Sequence, residues 1–167
     1  DRIAGAVKEA ERKTSGEIVP YFVANSDDYE EAVWRGGALG AFGVLTFLAL
    51  YHVFTETWGS FSPLEIILSA IGAMGVAMLL VHLIPALKRF FAGNELIEER
   101  VAQRAAQAFI TEEVFRTRDR TGILIFLSLL EHKVLVVGDA GINAKVEQTE
   151  WQDVVARIVR GIDKGTA

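Results

Sequence analysis

The chain has no cysteine, and among its 167 residues it has only three histidines and three prolines. Without a thiol there is no disulfide framework, no thiolate metal site and no cysteine nucleophile, which excludes cysteine-based phosphatase chemistry. Two of the histidines, His52 and His82, lie in apolar segments, so His132 is the one left for polar chemistry. A Ser128–His132 pair lacks a visible third member, and His132 reads as a turn residue. Basic charge is also short, with 17 Lys and Arg against 22 Asp and Glu and a formal charge of −5. No basic stripe stands out, which argues against nucleic acid as a partner. Nor is there a P-loop, a GxGxxG following a strand, or an HExxH.

Charge of either sign is nearly missing from one region. Between Trp34 and Leu87 the charged residues are Arg35, Glu56 and Glu65. Residues 36–55, "GGALGAFGVLTFLALYHVFT", and 66–87, "IILSAIGAMGVAMLLVHLIPAL", hold no Asp, Glu, Lys or Arg. A helix of ~20 residues rises ~30 Å, the thickness of the hydrocarbon layer of a bilayer. Residues 34–87 therefore read as a transmembrane helical hairpin, with the lipid bilayer as partner. Ser62-Pro63-Leu64-Glu65 reads as a capping box with proline at the first helical position, which starts the second helix there. Arg35, Lys88 and Arg89 lie at the end away from the connector, so the positive-inside rule places the connector outside and the soluble residues in the cytoplasm.

Gly36, Gly40 and Gly43 give the first helix a small-residue face, and Ser69, Gly72, Ala73 and Gly75 do so for the second. Small residues let helix backbones approach closely in lipid. These faces serve packing of the two helices on each other, or a face for another subunit. His52 and His82 do not share an intramembrane site. Counted from Arg35 and Lys88 their depths differ by roughly 16 Å.

The remaining residues, 1–33 and 88–167, are charged like an ordinary domain and suffice for a single core. Ile3, Val7 and Ala10 recur at helical spacing. "EIVPYFVA" (17–24) is a strand in which Pro20 points to an edge or a bulge. Ile97, Val101, Ala105, Ala108 and Phe109 form the apolar face of a helix. "GILIFLSLL" and "KVLVVGD" are strands joined by a tight Glu131-His132 turn. Trp151 to Ile162 marks a last amphipathic helix. A long crossover holding a helix favours a parallel pair between the first two strands, with the third antiparallel to the second. The fold class is α/β: a small sandwich whose two parts, 1–33 and 88–167, are split by the hairpin. The chain opens on Asp1 and reads as a piece of a longer protein, with any targeting segment outside it.

That topology brings Asp139, Asp119 and Glu17 to one end of the sheet, beside the "GDAGIN" turn. Oxygen ligands on loops suit Ca²⁺ or Mg²⁺ rather than zinc. The alternative is that Asp119 pairs with Arg118 or Arg120 and Asp139 shapes the turn.

"KEAERKTSGEIVPYFV" and "RTGILIFLSLLEHKVLVVGDAGI" resemble the TPM domain family, which includes thylakoid-lumen phosphatase-like proteins. Members with a transmembrane hairpin between the halves form a bacterial subgroup, which implies the bacterial inner (cytoplasmic) membrane. The resemblance implies a TPM-like α/β sandwich that sometimes binds divalent cations at acidic loop residues. It also implies either acid phosphatase activity or a role as accessory factor for membrane complexes. The signature positions carried over are Thr14, Glu17, Thr121, Gly122, Asp139 and Gly141. Many soluble relatives have Asp-Asn-Gly where this chain has Asp119-Arg120-Thr121-Gly122, so Arg120 sets a positive charge beside the proposed cation site. The sequence reading favours a membrane-anchored interaction or accessory module, either a subunit of a membrane assembly or a homo-oligomer. Its rival is a metal-assisted phosphomonoesterase. A transporter or channel is disfavoured, because two helices without an ionisable pair offer no pathway unless many copies assemble.

Overall fold

A computed structural model describes residues 17–55 and 61–144. The helices expected around Ile3–Ala10 and Trp151–Ile162, and Thr14 of the signature, lie outside the described residues. The chain is a small mixed α/β protein. In order, its elements are β1 (Ile18–Val23), α1 (Glu30–Thr55), α2 (Pro63–Leu83), α3 (Pro85–Ala92), α4 (Asn94–Thr111), β2 (Ile123–Ser128), β3 (Lys133–Gly138) and the single turn α5 (Ala140–Asn143). It divides into two compact units, Asp28–Ile97 and the residues on either side.

The flanking unit holds a three-stranded sheet in the order β1-β2-β3. β1 and β2 are parallel, with Ile18 opposite Ile123 and Val23 opposite Ser128. β2 and β3 are antiparallel, with Ile123 opposite Gly138. The parallel pairing is the one the long crossover favours, and the antiparallel pairing the one a short β2–β3 connection implies. Pro20 lies in an edge strand, where a residue without an N–H costs least. Leu124 and Phe126 of the central strand are fully buried, and the Phe126 ring stacks on Tyr21 opposite it, 6.0 Å between centroids. Val101, Ala105 and Ala108, spaced at one helical face of α4, join Val114 in the buried set.

The β2–β3 connection departs from the expected two-residue turn. Leu129 and Leu130 donate to the carbonyls of Val23 and Ala24, following β1 instead of β3. Four residues, Leu129–His132, are therefore needed to reverse the chain. His132 closes the reversal at φ 53°.

In the other unit α1 starts at Glu30, four residues before Trp34, which opens the expected hairpin. Glu30 and Glu31 sit in its first turn, where negative charge suits the helix dipole. Tyr29 ahead of it is buried and holds a φ of 52°, rare for a bulky residue. α2 starts as expected: Ser62 and Glu65 form a reciprocal capping box, and Pro63 opens the helix. It ends sooner than expected. Pro85 cannot donate to the helical ladder and forces Ile84 to φ −104°, ψ 107°. The chain then turns into the separate amphipathic helix α3. Arg35 Nη1 donates to the carbonyls of Phe91 (3.0 Å) and Ala92 (3.1 Å), covering the last acceptors of α3.

Both α1 and α2 are long and apolar enough to cross a membrane, and only 6% of each apolar window is buried. Phe42, Phe47, Phe54, Leu68, Ile71 and Leu79 all face outward. The pair is antiparallel: Gly36 lies against Val81, and Gly40 against Ala77 and Ala73. His52 and His82 occupy the last turns of α1 and α2, at opposite ends of the pair.

Candidate functional site

The expected acidic end of the sheet is built from three backbone links. Ile123 N–H donates to the Glu17 carbonyl (2.8 Å), Asp139 N–H to the Gly122 carbonyl (2.9 Å), and Gly141 N–H to the Arg120 carbonyl (2.9 Å). Glu17, the 119–122 loop and the Asp139 turn thus share one end, as the strand directions require. Asp119 and Glu17 are exposed there, and Asp139 is buried.

The charge that meets Asp139 is a side chain. Arg120 Nε and Nη2 donate to the two Asp139 carboxylate oxygens, each at 3.2 Å. Asp139 also accepts from Ala140 N–H at 2.6 Å and caps the turn α5. Among the described residues no group of three or more His, Asp or Glu is placed to hold a metal ion. Glu17, Asp119 and Asp139 therefore do not assemble as the expected Ca²⁺ or Mg²⁺ ligand set. The guanidinium of Arg120 stands where a cation would have balanced Asp139.

Arg120 holds this position at φ 54°, a left-handed conformation that asparagine tolerates better than arginine and that costs roughly 1–2 kcal/mol. Arg120 is thus a strained arginine that makes a bidentate ion pair. Two glycines permit the close packing beneath it. A Cβ on Gly141 would lie 2.2 Å from the Asp119 carbonyl oxygen, and one on Gly122 2.0 Å from the Val114 carbonyl oxygen. Thr121, between Arg120 and Gly122, is buried, and its N–H donates to Thr117 Oγ1 at 2.9 Å.

The Arg120 hydrogen bonds, and then the Ala140 N–H, hold the Asp139 carboxyl below its ordinary range, against the opposing effect of burial. A carboxyl depressed in the folded state stabilises the fold above its unfolded pKa of ~3.9 and loses that contribution as pH falls through the folded value. Thermal melts between pH 7 and 2 should show this acid limb. An Arg120→Gln variant, which removes the charge, should begin to lose stability at a higher pH.

A second polar cluster, at the far end of the sheet, escaped the sequence reading. Glu131, 5% exposed, accepts from Ser26 N–H at 2.7 Å and from the buried Ser128 hydroxyl. Ser26 and Ser128 hydroxyls share a hydrogen bond of 2.9 Å. Asp27 next to it pairs with Arg100 at 2.8 Å. Ser128 is therefore engaged by Glu131 and Ser26, and the cluster ties down the three residues that follow β1. The only advance signal was a serine and a carboxylate three residues apart, too common to single out.

The small-residue faces divide. A Cβ on Gly36 would meet Val81 at 2.4 Å, one on Gly37 Met78 at 2.6 Å, and one on Gly40 Ala77 at 2.6 Å. Gly37 was not among the expected packing residues. Around Gly43, Gly72 and Gly75 there is open space, so these three, expected to pack, lie off the α1–α2 seam. Neither protein-family models, nor curated proteins, nor solved structures give a match to this chain.

Proposed function

We propose that the chain is a two-pass membrane-anchored accessory module, a TPM-like α/β domain with a hairpin inserted in its crossover, acting as a subunit of a membrane assembly. The observation that carries this reading is the exposure of α1 and α2. Most of their large apolar side chains face outward, while Gly36, Gly37 and Gly40 face the seam. Water would penalise such a surface at about 25 cal/mol per Å², and lipid does not. A soluble core helix of this length would be largely covered. Trp34 and Tyr51 strengthen it: 17 residues apart on α1, they lie about 26 Å apart along the axis, the spacing of two interfacial aromatic belts.

The accessory role is supported by Gly43, Gly72 and Gly75, which leave room on the outward faces for the backbone of another helix. The α/β domain contributes an interaction surface in this reading, since its buried carboxylates Asp139 and Glu131 are occupied by Arg120 and by Ser26 and Ser128.

Association in mild detergent tests the role. The protein should run larger than a monomer, and Gly72→Leu/Gly75→Leu should weaken association by about tenfold, equivalent to ~1.4 kcal/mol. A bare monomer with no copurifying subunit, or an assembly indifferent to the double change, would contradict it.

A further inference from the structure

We infer that a cleft at the Glu30 end of the α1–α2 pair binds the phosphoethanolamine headgroup of a membrane lipid. The inference rests on the membrane reading above and adds a ligand to it. The cleft has a volume of about 320 Å³ and is lined by Asp28, Glu30, Val33, Trp34, His82 and Lys88. All six belong to one compact unit. That volume is at the low end of the ~300–1,000 Å³ typical of small-molecule sites, suited to a headgroup and not to acyl chains.

Three features select the ligand. The first is position. Glu30 opens α1 and His82 lies in the last turn of α2, so the cleft sits where two bilayer-length helices leave the hydrocarbon. Trp34, 59% exposed at its wall, is a residue type that favours this layer. The second is charge. The cleft sets two carboxylates beside an ammonium and an imidazole. Among the described residues no salt bridge joins Glu30 or Lys88 to another side chain. A zwitterion satisfies both signs at once: phosphate oxygens accept from Lys88 and His82, and the headgroup cation faces Glu30.

The third is the kind of cation. A primary ammonium donates N–H to carboxylates, whereas choline has no N–H and is recognised by cages of several aromatic rings. Trp34 is the single Trp, Tyr or Phe ring in the lining. A phosphatidylglycerol headgroup carries no cation and would set its negative charge beside two carboxylates. Ethanolamine is the headgroup that fits.

The test reconstitutes the full chain into vesicles with equal parts phosphatidylethanolamine, phosphatidylcholine and phosphatidylglycerol. Protein is then extracted in mild detergent, and the lipids it retains are counted by native mass spectrometry. Wild type should retain phosphatidylethanolamine about fivefold over the other two, equivalent to ~1 kcal/mol of preference. Glu30→Gln/Lys88→Gln should insert equally well and lose the preference. Insertion without preference, or a preference unchanged in the variant, overturns the headgroup site and leaves the membrane reading standing. Failure of both proteins to resist alkaline extraction from the vesicles overturns both. In a second arm, soluble phosphoethanolamine offered to lipid-free protein in detergent should bind more weakly than the lipid, and binding as tight as the lipid's would reassign the cleft to a free small molecule.

Discussion

Replacing Gly141 with alanine is expected to destabilise the α/β domain by about 3 kcal/mol, at the upper end of overpacking costs. The new Cβ would lie 2.2 Å from the Asp119 carbonyl oxygen and 2.6 Å from that of Arg120. Both obstacles are backbone atoms, so no rotamer change clears them. Retreat of the 119–120 loop would also break the Gly141 N–H bond to Arg120 and disturb the Arg120–Asp139 pair. Gly122→Ala should act similarly through the Val114 carbonyl, 2.0 Å from its Cβ. Differential scanning of the wild type and both variants checks this, with melting temperature falling by roughly 10 °C or more. A shift within a degree or two would mean that the loop is not packed as described.

The second large effect separates the two faces of the helix pair. Gly40→Ala places a Cβ 2.6 Å from Ala77 Cβ and 2.9 Å from the Ala73 carbonyl oxygen, forcing the helices apart at a cost of ~1–3 kcal/mol. Gly75→Ala meets open space and removes a flexible residue from a helix, which should stabilise α2 by up to ~1 kcal/mol. The two substitutions are chemically identical and should have opposite signs. Thermal stability in detergent micelles reads the difference, and equal effects would refute the seam.

Helix phase explains why only part of this was legible in sequence. Gly36, Gly40 and Gly43 follow one small-residue pattern, yet the seam runs through Gly36, Gly37 and Gly40. Gly43 is turned about a quarter turn from the line midway between Gly37 and Gly40, at 3.6 residues per turn. Gly36 lies within ~20° of Gly43 in helix phase, but Val81 and the α3 ring of Phe91 cover it. Pattern marks a face; it does not say which partner the fold brings to that face. The parallel β1–β2 pair, by contrast, followed from crossover length, and Pro20 marked the edge strand. Pro85 carried a helix break within an apolar run that otherwise read as continuous.

At the acidic end the sequence placed Glu17, Asp119 and Asp139 together with Arg120 beside them, but not the pairing of Arg120 with Asp139. Whether a carboxylate meets a metal or an arginine depends on side-chain direction, and the left-handed backbone at Arg120 sets that direction. The Ser26–Ser128–Glu131 cluster joins residues more than 100 positions apart, beyond the reach of any local pattern.

The central claim is that α1 and α2 cross a bilayer as a hairpin with both flanking segments on one side. Because the chain has no cysteine, single cysteines introduced at Ser60, between the helices, and at the exposed Gln103 of α4 report it without background. A membrane-impermeant maleimide should label Ser60→Cys in intact spheroplasts and Gln103→Cys only in inverted vesicles. Labelling of both positions from the same side would contradict the hairpin, and recovery of the protein in the soluble fraction would contradict the anchor itself.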